Sequence, residues 1–169
     1  NINIFKLNKN NIFYKLNEIN FLENIYVKKI IPSTLKISLS KTFIAGKTII
    51  NGEKFYIGNN GKLINSNQLI VTNYLPSVFG NFKINEFLNL QSSLIRHDIN
   101  LIEIEKYYYY KNKRWDLLFK NGLTLMLPSK DIEKSIIIYK KLLENGKLIN
   151  SKIIDLRITN QIILTNKNE

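Results

Sequence analysis

Few residues of this chain are placed to make or break bonds. The single His, His97, sits beside Asp98 at the end of a helical pattern. Such a pair could act as base and orienter. No plausible nucleophile motif accompanies it, so the spacing reads as a helix-end imidazole facing the helix dipole. Glu103 and Glu105 lie two apart in an alternating stretch and are expected on one strand face. Two such carboxylates could serve acid/base chemistry or hold a cation. Lys106 and Lys111 close by favour a solvated face instead. Gly58-Asn59-Asn60-Gly61 resembles a phosphate cradle only superficially. It lacks both the G-x-G-x-x-G spacing and the Lys-Ser/Thr of a phosphate-binding loop, and reads as a hairpin turn.

Binding chemistry has more support than catalysis. Tyr107 to Tyr110, then Lys111, Lys113, Arg114 and Trp115, combine aromatic and basic residues, as single-strand nucleic-acid platforms do. Consecutive strand residues alternate faces, however, so only two of the four rings can share a surface. The segment Asp155 to Leu164 is rich in β-formers and falls late in the chain. An exposed sheet edge and an ordinary paired strand both fit it. An edge would invite another chain to pair with it.

Composition bounds the rest. The 169 residues suit one domain or two small ones, and 44% hydrophobic with 11% aromatic residues excludes a disordered tail. The absence of Cys rules out disulfides, thiolate zinc sites and a cysteine nucleophile, and one His rules out a His-rich metal centre. No cofactor is expected. The net charge of +12 could attract nucleic acid, anionic lipid or an acidic protein. Only Arg96, Arg114 and Arg157 among the 25 basic residues are arginines, and Arg is the preferred bidentate phosphate ligand. Heavy use of Ile, Asn and Lys together points to AT-rich codons as a source of the Lys. The chain opens on Asn1 rather than Met and contains no apolar run of the ~20 residues a membrane span needs. A fragment of a longer protein is expected.

The elements that must position these residues read as α+β. Asn10 to Leu22 is expected as an amphipathic helix, followed by strands over 25–31 and 35–39 joined at Pro32-Ser33. Leu35, Ile37 and Leu39 would share a face. A boundary is expected near Thr42, where the strand pattern restarts. Strands are predicted over 47–50, 55–57, 62–64 and 69–71, with turns at Asn51-Gly52 and Gly58 to Gly61. Leu75 to Gly80 reads as a loop with buried anchors, and Asn85 to Ile95 as a helix. Strands are expected over 101–110, 115–119 and 123–127, with Asn121-Gly122 turning between the last two. A helix capped by Ser129 would carry Ile132, Ile136, Tyr139, Leu142 and Leu143 on its apolar stripe and stop at Asn145-Gly146. Residues 153–164 would form one long strand or a pair.

The order of these motifs resembles a known family. Val27-Lys28-Lys29-Ile30-Ile31-Pro32-Ser33-Thr34-Leu35-Lys36-Ile37 after a helix is similar to the second half of a POTRA domain. Leu75-Pro76 with Gly80, then Arg114-Trp115-Asp116-Leu117, Asn121-Gly122-Leu123 and Asp155-Leu156-Arg157 follow in the order of the FtsQ/DivIB cell-division family. The resemblance implies a partial POTRA domain over residues 1–41 (helix plus β-hairpin), entered at Asn1 to Phe5, and a mainly antiparallel β domain with two helices over 42–169. It implies a non-enzymatic divisome scaffold of the bacterial inner membrane. Such a protein is single-pass, with this region in the periplasm at the division septum. An FtsK-like protein would be met by Asn24, Val27 and Lys29. FtsB, acting with FtsL, would add a strand at the last edge, met by Leu142, Arg157, Ile158, Asn160, Gln161, Ile162 and Leu164. Three positions depart from the family pattern. Ile158 stands where an aromatic is usual, Gln161 replaces a Gly, and Lys41 to Gly46 replaces the usual Glu-x-x-Pro-x-Ala. Two other classes stay open on the residues: a basic nucleic-acid-binding module built on Tyr107 to Trp115, and a POTRA-containing outer-membrane assembly factor.

Overall fold

The computed structural model describes residues 4, 6–148, 150–158 and 161–166. The first elements are a helix, α1 (Lys9–Asn17), and two strands, β1 (Leu22–Ile30) and β2 (Thr34–Lys41). The Asn8 side chain caps α1 by accepting from the Asn10 N–H at 2.9 Å. The helix stops earlier than its apolar pattern suggests, because Leu22 already opens β1. β1 and β2 form their own antiparallel sheet, with Val27 opposite Ile37 and Lys29 opposite Leu35. Opposed residues share a face, so Ile25, Val27 and Lys29 stand with Leu35 and Ile37. α1 packs on β1 and leaves that face half-buried along β1, while Ile37 and Leu39 stay exposed.

A second sheet begins at β3 (Ile44–Ile50) and continues through β4 (Glu53–Gly58), β5 (Leu63–Asn65) and β6 (Ser77–Phe79). Asn51 and Gly52 both take positive φ between β3 and β4, the geometry a two-residue hairpin needs. Then come α2 (Ile84–Arg96), a 3₁₀ turn at Leu101–Glu103, β7 (Ile104–Tyr109), β8 (Trp115–Phe119) and β9 (Thr124–Met126). The chain ends with α3 (Ile132–Glu144), β10 (Ser151–Asp155) and β11 (Ile163–Asn166). The nine strands run in the order β11-β10-β9-β8-β7-β6-β3-β4-β5. Pairing is antiparallel except at β3–β6, β6–β7 and β9–β10. A parallel neighbour needs a crossover, and α2 and α3 supply two of them. Both move the same way along the sheet between strands of one direction, so right-handed crossing places both helices on one face. There Phe87, Leu90, Leu94, Ile136 and Tyr139 pack against Ile57, Val78, Tyr107, Leu117, Leu125 and Ile154. Phe87 sits at the centre of an aromatic group, its ring 5.1 Å from Tyr107 and 6.2 Å from Trp115.

The seam between β3 and β6 is narrow. Its register has one pair, Lys47 with Ser77. The Lys47 N–H donates to the Pro76 carbonyl at 2.9 Å, and the Thr48 hydroxyl donates to the Val78 carbonyl at 2.8 Å. Gly46 permits the approach: a Cβ there would stand 3.2 Å from Pro76 O and from Val78 Cγ2.

Four expectations fail for identifiable reasons. Residues 69–71 form no strand; Ile70 is 92% exposed and has no sheet to join. The presumed loop at 75–80 contains β6, a strand too short to show a period. The strand expected from Leu101 starts at Ile104, because a 3₁₀ turn capped by Asn100 precedes it. Glu103 therefore leaves the strand and does not share a face with Glu105. The α3 N-cap is Asp131, in left-handed conformation and without a side-chain cap bond, not Ser129.

Candidate functional site: the outer edge of the last strand

β11 ends the strand order, so one side of its backbone has no strand beside it among the described residues. Its inner side pairs with β10, Asp155 opposite Ile163 and Ile154 opposite Leu164. Ile163 and Leu164 are both exposed, giving the edge an apolar surface. The stretch read as one long strand or two is thus a pair, broken after Asp155. Leu156 turns inward and is buried, while Ile158, Gln161 and Ile162 project outward. The Gln161 N–H donates to the Ile158 carbonyl at 3.1 Å and closes the turn. A cleft of about 230 Å³ lies between this turn and the start of α3, lined by Lys134, Ser135, Ile138, Ile158, Gln161 and Ile162. Asn160 lies outside the described residues.

Arg157 is fixed beside this edge by Asp155, the last residue of β10. Its Nε donates to Asp155 Oδ1 at 2.8 Å and its Nη2 to Oδ2 at 2.5 Å. Its backbone N–H also reaches Oδ1, at 3.0 Å. Hydrogen bonds from the Arg157 side chain hold the Asp155 carboxyl below its ordinary range, against the opposing effect of burial. Register places Asp155 beside Met126 and Met126 beside Asp116, in one row across the sheet. Asp116 is buried, and its burial pushes the carboxyl up while the nearby Arg114 pulls it down. The Arg114 Nε is 3.7 Å from Asp116, and its guanidinium lies 4.3 Å over the Tyr110 ring. The sheet face away from the helices thus carries two carboxylates and two guanidinium groups close to the free edge.

The other expected site residues are not gathered here. Leu142 lies in the last turn of α3, half-buried against the core. Asn24, Val27 and Lys29 belong to β1, in the separate two-stranded sheet. Asn24 has positive φ beside the β1 bulge, and its side chain donates to Ser40 Oγ at 3.1 Å. Val27 and Lys29 are half-buried on the α1 side. Sequence reasoning missed Asp155 as the carboxylate that fixes Arg157, although their separation of two residues was there to read. It also missed the contribution of Lys134 and Ile138 to the cleft, which no local pattern reveals.

The residues first weighed for chemistry take structural places. His97 caps the C-terminus of α2, and its Nε2 lies 3.3 Å from Glu133 Oε1 on α3, which also accepts from Arg96 at 2.9 Å. The three side chains tie the two helices together. Glu105 faces Lys106 at 3.2 Å. The four tyrosines divide by face: Tyr107 is buried under Phe87, and Tyr109 packs on Trp115 at 4.8 Å. Tyr108 stacks on Phe79 at 5.3 Å on the opposite face.

The chain is similar to known proteins. The chain is 28% identical over 166 residues to "Cell division protein FtsQ" of Rickettsia bellii (strain RML369-C), covering 94% of this chain and 60% of that protein. It is also 28% identical, over 170 residues, to "Cell division protein FtsQ" of Rickettsia prowazekii (strain Madrid E), with the same coverage. The chain therefore spans about 60% of the length of these relatives. A solved structure of the major extracytoplasmic domain of the cell-division protein DivIB from Geobacillus stearothermophilus aligns with a TM-score of 0.43 and 11% identity. That alignment covers 63% of this chain and 97% of the other. Residues 49–157 match the family described as "Cell division protein FtsQ/DivIB, C-terminal". That match runs from β3 to Arg157, and the chain belongs to the FtsQ/DivIB family of cell-division proteins.

Proposed function

We propose that this chain is the periplasmic part of a single-pass inner-membrane divisome scaffold. It acts without catalysis at the septum, linking early and late division proteins. Residues 42–169 are read as the family's β domain and 1–41 as the closing part of a POTRA domain. The observation that carries the reading is the outer side of β11, unpaired among the described residues at the end of a nine-stranded sheet. A partner segment, FtsB-like and acting with FtsL, adds a strand there. Main-chain hydrogen bonds supply much of the affinity. Ile158, Gln161, Ile162 and Leu164, with Asn160 between them in sequence, border the added strand. Arg157, already held by Asp155, offers its remaining N–H groups to an acidic partner side chain. Leu142 contributes from α3. Asn24, Val27 and Lys29 on β1 are read as the contact for an FtsK-like protein.

The test is pull-down of an FtsB-like segment by this chain, with hydrogen exchange on the complex. Binding should weaken on Arg157→Glu, and Ile162→Pro should disrupt the added strand. Exchange at the amides of Ile163 to Asn166 should slow in the complex. If both variants bind as the parent does, this edge is not the partner site.

A further inference from the structure

The small two-stranded sheet has a second face, opposite Val27 and Lys29. The register puts Tyr26 opposite Ser38, Lys28 opposite Lys36 and Ile30 opposite Thr34, and all six are exposed. Like charges directly opposed on one sheet face repel each other. Neither Lys28 nor Lys36 forms an ion pair among the described residues, nor does Lys29 behind them. Glu23, the only carboxylate of the two strands, pairs with Ser40 at the far end. The end that carries the lysines closes in a turn, Ile31-Pro32-Ser33, that begins on an exposed isoleucine. Ile31 is 71% exposed and Ile30 is 42% exposed, next to Pro32. Tyr26, 59% exposed, completes the face with a ring that is apolar in body and polar at its tip.

An acidic protein would satisfy the lysines but leave the protruding turn without a use. A bilayer surface uses both. Its anionic headgroups meet the lysines, and the acyl boundary accepts the isoleucines at the tip. Tyr and Lys are residue types suited to that boundary. We propose that the β1–β2 hairpin docks on an anionic lipid surface through Tyr26, Lys28, Ile30, Ile31 and Lys36. This face is separate from the one that presents Val27 and Lys29, so docking here does not require the partner sites proposed above.

The test is co-sedimentation of the whole chain with vesicles of phosphatidylcholine alone and of phosphatidylcholine with phosphatidylglycerol. Binding is expected only to the anionic vesicles, and should fall as salt rises. Each lysine near such a surface is worth about fivefold in partitioning, so Lys28→Ala with Lys36→Ala should lower it by about 25-fold. Ile31→Ser should lower it again without changing net charge. These positions are exposed, so circular dichroism should show the variants folded. A control pair, Lys147→Ala with Lys152→Ala, removes the same charge from exposed sites elsewhere. Equal loss in the control pair overturns the proposal in favour of unspecific attraction by the +12 charge. Equal binding to neutral vesicles, or none to anionic ones, also overturns it, the latter leaving an acidic protein as the occupant.

Discussion

At the scale of single residues, the Asp155–Arg157 pair is where structure and solution behaviour meet most directly. Arg157 lowers the carboxyl pKa of Asp155, so the ionised carboxylate stabilises the folded chain. That contribution is fully present above the unfolded carboxylate pKa and is lost as pH falls through the depressed folded value. Arg157 is partly exposed, so solvent screens the pair. Arg157→Gln should therefore cost about 1 kcal/mol at neutral pH. Denaturant titrations of parent and variant should converge as pH falls below about 4. A gap that stays constant with pH would mean that Arg157 stabilises by packing instead. The same pair shows a limit of reading from sequence. Asp-Leu-Arg is visible as a motif, but nothing local tells that the Arg is anchored before any partner arrives.

At the scale of elements, what was legible follows from how each element is specified. The Asn51-Gly52 and Asn121-Gly122 turns are fixed by local backbone chemistry, and both join paired strands as expected. α2 and α3 are specified by apolar periodicity over 13 residues each and lie close to where that pattern puts them. β6 has three residues and owes its existence to neighbours on both sides, β3 and β7, far from it in sequence. No window on the chain contains that information. The parallel pairings were illegible for the same reason, since they depend on where α2 and α3 carry the chain. The edge strand β11 was legible because a late, β-rich segment needs only one neighbour. The cleft beside it was not, because α3 supplies half of its lining. Gly80 gives the element-scale prediction. It ends β6 at φ 103°, and a Cβ would stand 2.1 Å from the Tyr109 carbonyl oxygen of β7. Gly80→Ala should lower stability by about 2 kcal/mol or more, read as a reduced denaturation midpoint with unchanged slope. An unchanged midpoint would show that β6 can leave its place without loss.

At the scale of the whole molecule, the two sheets are joined by few polar contacts, and Asn60, Lys62 and Asn20 make the side-chain ones. The side-chain nitrogen of Asn60 donates to the Asn20 carbonyl at 2.9 Å and the Leu22 carbonyl at 3.3 Å. Its oxygen accepts from the Lys62 N–H at 3.2 Å, and its own N–H donates to Thr42 Oγ1 at 3.1 Å. Lys62 adds a bond to the Asn17 carbonyl at 2.7 Å. Asn60→Ala should raise hydrogen exchange in β1 and β2 while leaving the nine-stranded sheet as protected as before. A uniform rise across both sheets would show instead that the two unfold as one cooperative unit.

The β3–β6 seam gives the large sheet a mechanical weak line. Tension applied between the β5 end and the β11 end runs across the strands and loads every junction in series. Each junction resists roughly in proportion to its rungs, and this one has a single register pair braced by one threonine hydroxyl. It parts first, leaving β3, β4 and β5 as one plate and β6 to β11 as the other. The chain between β5 and β6, residues 66–76, remains between them as a leash. The plate that keeps α2 and α3 also keeps most of the hydrophobic core. A pull of this kind would stretch the molecule while leaving the β10–β11 edge folded.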